Sequence, residues 1–320
     1  MPAPTTFPPT LRDPILDWYA AQGRQLAFRG SADPYAILVS EAMAQQTQAA
    51  RAAVAWTAFM ARFPTVQTLA AATPADVLRA WQGLGYNRRA LDLWRAAGRL
   101  VADFGGEVPA DLEALESLPG VGPYTARAVG AIAFGMAVGA VDTNVRRVLG
   151  RIVAGDTGRL GAAELQRLAD AAVPSDRPGA WTHALMDLGA TLCRPREPHC
   201  EACPARALCR YAQAPVVVAR TTGDPAGARA GNGPRAGTDP AMAREIRAPF
   251  PSTSRWLRGR ILDRLRELVD DEWLILGDAI GGHDLGAVAT AGHALARDGL
   301  LELDAAALPV LRARLPLRPR

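Results

Sequence analysis

A chain of 320 residues, 49% of them apolar, is long enough for two or three domains with sizeable cores and should be mostly globular. Its net charge of +4 selects no partner by itself. The basic set is all arginine: the sequence contains no lysine, which excludes any mechanism that needs a side-chain amine to form a Schiff base.

In chain order, "DPILDWYAA" starts the first predicted helix. "DPYAILVSEAMAQQTQAARAAVAWTAFMARF" predicts one long helix, begun by Asp33 as cap and Pro34 in the first turn. "TPADVLRAWQGL" predicts another behind a Thr73 cap. The longest apolar run, Val129 to Val141, is too short to span a bilayer and reads as a buried core helix. No alternating strands occur before about residue 215, so helices joined by Gly and Pro turns predict an all-α fold. The stretch from 221 to 245 is crowded with Gly, Pro, Ala and Arg and reads as a flexible linker. Beyond it, "SRWLRGRILDRLREL" predicts an amphipathic helix, "EWLIL" a short strand, and "DLGAVATAGHALARDGLLEL" a helix, turn and strand, in the order of a small winged-helix-like domain. The N-terminus has no apolar signal core, so the expected setting is the cytoplasm, associated with the nucleoid, with no membrane partner.

All four cysteines, Cys193, Cys200, Cys203 and Cys209, fall in "CRPREPHCEACPARALC". In a reducing compartment, where disulfides are rare, such a cluster points to metal. Spacing alone leaves open a structural zinc ion, which usually sits between two paired Cys-x-x-Cys knuckles, and an iron–sulfur cluster, which tolerates more varied gaps. Arg194, Arg196, Arg206 and Arg210 lie beside the cysteines and suit phosphate contact.

"LPGVGPYTARAV" places Gly120 and Gly122 where a tight turn needs positive φ, with Thr125 opening the next helix. Backbone N–H groups at such a turn can hold a phosphate oxygen, the grip of a helix-hairpin-helix. In "AVDTNVRRVLGRI", Asp142 sits at an expected N-cap, where the helix dipole favours the ionised form. Glu41, inside the mostly apolar "YAILVSEAMAQQTQ", should have a raised pKa. One carboxyl poised to be protonated and one to stay charged is an arrangement for cleaving a glycosidic bond.

"SEAMAQQTQ", "RFPTV", "GLGY", "LPGVGPYTA", "VDTNVRRVL", "MDLGA" and the cysteine spacing together closely resemble the MutY branch of the endonuclease III superfamily, adenine DNA glycosylases that act on adenine mispaired with 8-oxoguanine. The resemblance covers about residues 10–213. It implies a [4Fe–4S] cluster on Cys193, Cys200, Cys203 and Cys209, holding a basic loop against DNA. It implies that Glu41 protonates the adenine, that Asp142 stabilises or transiently attacks the cationic sugar, and that Tyr124 and Asn144 assist beside the scissile bond. Gln46 would enter the base stack and Tyr86 would wedge beside the opposite base, filling the gap left when adenine turns out of the duplex. Gly120, Gly122 and Thr125 of the hairpin would hold DNA, and so would Arg29. Bifunctional relatives carry a lysine where Tyr124 stands, so the resemblance implies a monofunctional enzyme that leaves an abasic site.

The implied partner is double-stranded DNA with a mispair, bound by a monomer. The implied organisation is an iron–sulfur domain from residues 1–25 and 137–215, a six-helix module over 26–136, a linker over 216–248 and the winged-helix-like domain over 249–320. Three departures qualify the likeness. Thr182 and His183 stand where a Gln or Glu usually meets the adenine edge. No Nudix-like domain follows. "QLAFRG" replaces the usual "LPWR", with Phe28 and Arg29 keeping the packing and the phosphate contact. The alternatives are a thymine or uracil mismatch glycosylase of the same fold and, from other classes, a non-catalytic DNA-binding protein or a zinc regulator.

Overall fold

The computed structural model of the chain describes residues 6–156, 160–214, 249–304 and 311–317; the predicted linker lies outside them. Up to residue 214 the described elements are all helical: α1 (Arg12–Gln22), α2 (Pro34–Ala44), α3 (Ala49–Arg62), α4 (Val66–Ala70), α5 (Pro74–Ala80), α6 (Arg88–Phe104), α7 (Leu112–Glu116), α8 (Pro123–Phe134), α9 (Thr143–Ala154), α10 (Ala162–Ala172), α11 (Pro178–Thr191) and α12 (Arg210–Gln213). The predicted caps form by local chemistry. Asp33 accepts from the Tyr35 N–H, Thr73 from Asp76 and Asp142 from Val145.

Two helices end sooner than their apolar pattern predicts. The long helix expected from residue 34 breaks after Ala44 into α2 and α3. Gln46 takes φ 54°, a left-handed conformation that costs a non-glycine residue energy and needs outside support. That support is Arg89 on α6. Its guanidinium donates to the carbonyls of Ala42, Met43, Gln45, Leu84 and Gly85 and to the Thr47 hydroxyl. Its Nε is buried without a partner among the described residues. Likewise the apolar run from Val129 is helical only to Phe134. Gly135 closes α8 in the left-handed conformation, and the chain then runs extended past Gly139, whose N–H donates to Asp170 at 2.8 Å.

Two apolar cores result. One is built from α1 and α9–α11, with Ile15, Leu149, Leu165 and Trp181 at its centre. The other gathers Met43, Phe59, Leu69, Trp81 and Leu100 from α2–α6 and continues without a break into the C-terminal unit through Leu257, Ile261, Val288 and Leu295. That unit consists of α13 (Ser254–Glu267), β1 (Leu274–Ile275), α14 (Leu285–Arg297), β2 (Glu302–Leu303) and β3 (Arg312–Arg314). Its antiparallel sheet has the order β1-β3-β2, pairing Leu274 with Ala313 and Leu303 with Ala313. The central strand β3 has no counterpart in the sequence reading, because three residues are too few for an alternation to be visible. No helix among the described residues is long and apolar enough to cross a membrane.

Arg89 holds two loops of different sequence origin with one side chain, so Arg89→Ala is expected to lower the stability of the folded chain by about 3 kcal/mol. Urea unfolding followed by circular dichroism measures it, and an unchanged midpoint would contradict this account of the α2–α3 break.

Candidate active site

Glu41, Gln45 and Gln46 from the end of α2, Tyr124 from the start of α8, and Asp142, Thr143 and Arg146 from the start of α9 line one cleft that is open to solvent. Glu41 is 8% exposed. Burial pushes its carboxyl up to about 7, although the Tyr124 hydroxyl and the Arg29 charge beside it pull the other way. Burial likewise raises the Tyr124 hydroxyl, helped by the charges of Glu41 and Asp142, and keeps it protonated. Asp142 is held differently. One of its oxygens accepts from the Val145 N–H at 2.7 Å and the other from the Asn144 side-chain amide at 3.0 Å. The Asn144 carbonyl in turn accepts from Arg147 at 2.8 Å, which fixes the orientation of the amide. The Cβ of Asn144 stands where a side chain on Gly189 would begin, 2.6 Å away, so the glycine of "MDLGA" lets α11 approach α9.

The hairpin carries Gly120 at φ 78°, and a Cβ there would meet that of Asp92 at 2.8 Å. Gly122, expected at positive φ, is instead extended at φ −99° and is the N-cap of α8, which has no side-chain cap. The first N–H groups of that helix are thus left without an internal acceptor. Thr125, expected to face DNA, is buried; its hydroxyl accepts from Gln45 at 3.2 Å. Gln46 and Tyr86 both adopt positive φ at loop tips, and Tyr86 is 43% exposed.

Arg29 does not reach a surface phosphate site. Its side chain is 10% exposed and turns inward, bridging Asp187 at 2.8 Å and donating to the Tyr19 hydroxyl at 3.0 Å. The physical reason is Asp187, fully buried on α11: an ionised carboxylate out of water needs cations, and Arg24 and Arg29 supply them. Nothing in the local pattern of "MDLGA" marks that aspartate as their partner. His183 packs on Tyr19 with ring centroids 6.2 Å apart and is not among the residues lining the cleft. Burial, with Arg29 second, depresses its imidazole to about 3, so it stays neutral.

The four cysteines line a second cavity with Arg151, His199 and Tyr211, around about 300 Å³ of empty space. Among the described residues no three His, Cys, Asp or Glu side chains are drawn together around a single ion. The four cysteines face a shared space, with the Ala205 N–H directed at Cys203 and the Tyr211 and Ala212 N–H groups at Cys209. Burial pushes the Cys203 thiol up to about 11. Arg147 and Arg151, which sequence reasoning missed, brace this loop from α9. Arg147 donates to the Cys193 carbonyl at 2.7 Å, and Arg151 to the Arg194 and Pro195 carbonyls.

A glycine hairpin, a buried carboxyl group facing a helix-capping one and a cysteine-rich loop define a class. The HhH-GPD superfamily of base excision DNA repair proteins matches residues 39–172, and a thermostable thymine-DNA glycosylase superposes with a TM-score of 0.59 at 32% identity, over 62% of this chain and 94% of its own. Within that class the chain belongs to the adenine DNA glycosylase family. It is 39% identical over 255 residues to the adenine DNA glycosylase of Mycolicibacterium smegmatis, covering 79% of both chains. It is 42% identical to the human adenine DNA glycosylase over 63% of this chain but only 39% of that longer one.

Glu41 binds a proton in the folded chain up to about pH 7, whereas in the unfolded chain it releases it near 4.5. Stability is therefore lost as pH rises from 4.5 to 7, on the order of 3 kcal/mol in all. Glu41→Gln should be more stable than the parent at pH 8, with the difference vanishing toward pH 4.5, in denaturation curves taken across that range.

Proposed function

We propose that the chain is a DNA glycosylase of base excision repair that hydrolyses the N-glycosidic bond of adenine mispaired with 8-oxoguanine or guanine in double-stranded DNA. The observation that carries this reading is the pair of carboxyl groups in one cleft: Glu41 protonated near neutral pH by burial, and Asp142 held by donors at a helix N-terminus. The adenine leaves the stack and enters the cleft between them, with Gln46 and Tyr86 filling the duplex. Glu41 gives its proton to a ring nitrogen, so the C–N bonding pair departs with a neutral base. The sugar becomes cationic, and the Asp142 carboxylate stabilises it or adds to it briefly. Asn144 keeps Asp142 aimed. Tyr124, protonated, supports the Glu41 carboxylate after transfer. Water then completes an abasic site. The hairpin N–H groups and the basic cysteine loop fit the phosphates on either side.

With no lysine in the chain and a tyrosine at position 124, the reading is monofunctional: the strand stays intact. The sulfurs of Cys193, Cys200, Cys203 and Cys209 and the N–H groups aimed at them suit a [4Fe–4S] cluster, which would lock the loop that α9 braces. Its part is structural. A thymine or uracil mismatch glycosylase is the second reading, favoured by His183, which packs beside Tyr19 and carries neither a carboxamide nor a carboxylate of its own.

Single-turnover assays on duplexes holding A:8-oxoguanine, A:G, T:G and U:G, with alkali cleavage of abasic sites, decide between these readings. Adenine release without strand breakage before alkali is expected, with a rate that falls as pH rises above about 7 and Glu41 loses its proton. Glu41→Gln should lower that rate by about 10²–10⁴-fold. Release of thymine or uracil alone would transfer the chain to the second reading. The purified protein should be brown and contain iron and acid-labile sulfide in equal amounts; a colourless zinc protein would overturn the cluster assignment.

A further inference from the structure

Tyr86 is held from two sides. From within the helical module, the Arg89 guanidinium lies 5.6 Å from its ring centre. From the C-terminal unit, Arg255 lies over the ring at 4.8 Å, and its guanidinium donates to the Tyr86 hydroxyl at 2.7 Å. The neighbouring cations Arg258 and Arg260 are bridged to Asp298 and Asp263, whereas among the described residues no carboxylate bridges Arg255. The residue after Tyr86 is gripped by the same unit, since Arg266 donates to the Asn87 side chain at 2.6 Å and to the Leu78 carbonyl at 2.9 Å. Arg79 bridges Asp270, the Ala75 N–H donates to the Pro316 carbonyl, and the apolar core runs across the junction. The start of α13 is itself fixed. Thr253 caps it, and Trp256 stacks on His283 with centroids 5.8 Å apart.

We propose that Arg255 is a positioning residue for Tyr86 and fixes the depth at which that ring enters a duplex. This rests on the reading of Tyr86 as a wedge given above. Tyr86 has φ 46°, a strained conformation for a non-glycine residue that persists only where its surroundings hold it. A planar guanidinium both stacks on the ring and hydrogen-bonds the hydroxyl; an ammonium group cannot do both in the same plane. A wedge set at one depth contacts an oxidised and an unoxidised guanine differently, whereas a loose one averages over them.

The test is a double-mutant cycle on the full chain with Arg255→Ala, Tyr86→Ala and the pair together. Two quantities are read: the ratio of affinities for A:8-oxoguanine and A:G duplexes, and the fluorescence of 2-aminopurine placed next to the opposite base, which rises when a side chain unstacks it. Arg255→Ala should reduce the affinity ratio about tenfold and lower the fluorescence gain. In the Tyr86→Ala background it should add nothing, and Arg255→Lys should not restore the parent values. Independent, additive losses, or full rescue by lysine, would make Arg255 a simple phosphate contact and overturn the proposal. Both readouts are binding measurements, so a chain that binds but releases no adenine would refute the proposed reaction while the cycle still reports on Arg255.

Discussion

Arg89 stands where three parts of the molecule meet. Its guanidinium collects the carbonyl ends of α2, the Gln45–Thr47 break and the Leu84–Gly85 turn, and its charge lies against the rings of Trp81 and Tyr86. Carbonyl groups left free by a broken helix need donors, and a buried cation needs acceptors; each requirement satisfies the other. The consequence is geometric. Gln46 and Tyr86, the two side chains proposed to enter the duplex, sit on strained loop tips fixed relative to one another through one residue. Function-bearing strain of this kind persists only where the surroundings over-determine it.

The cleft uses burial and capping to set two carboxyl groups apart. Glu41 lies buried in the last turn of α2, where only the Arg29 charge and a tyrosine hydroxyl favour its ionised form, so it favours its proton. Asp142 begins a helix and accepts from a backbone N–H and an amide. The two sit on different helices and meet only because the chain turns through the hairpin between α7 and α8. The same α9 that starts with Asp142 and Asn144 carries Arg147 and Arg151 one and two turns on, and those arginines hold the cysteine loop. Anything that stiffens that loop stiffens the foundation under Asp142.

The buried Asp187 organises the remaining side of the site. It draws Arg24 and Arg29 inward from the segment after α1 and so ties the start of the chain to α11. Arg29 is thereby left near enough to Glu41 to moderate its proton affinity, and it helps keep His183 neutral. A phosphate contact is traded for an internal electrostatic frame.

Much of the fold and several parts of the site were legible in the sequence because they depend on neighbours in the chain. The Asp33, Thr73 and Asp142 caps need only a side chain and an N–H two or three residues on, and the all-helical body follows from apolar spacing. The positive φ of Gly120 is equally local, and the apolar setting of Glu41 could be read from its own helix. What only the tertiary structure decided depends on partners far apart in sequence. The break after Ala44 is set by Arg89, more than forty residues away. Arg29 turns inward because Asp187 lies 158 residues on. The buried Thr125 meets Gln45, 80 residues away, only when α8 packs against the end of α2. The C-terminal unit meets Tyr86 through Arg255, a separation of 169 residues. Local sequence determines which groups can cap, turn or be buried; which distant charge each one meets is chosen when the helices pack, because only then does water leave and make the pairing obligatory.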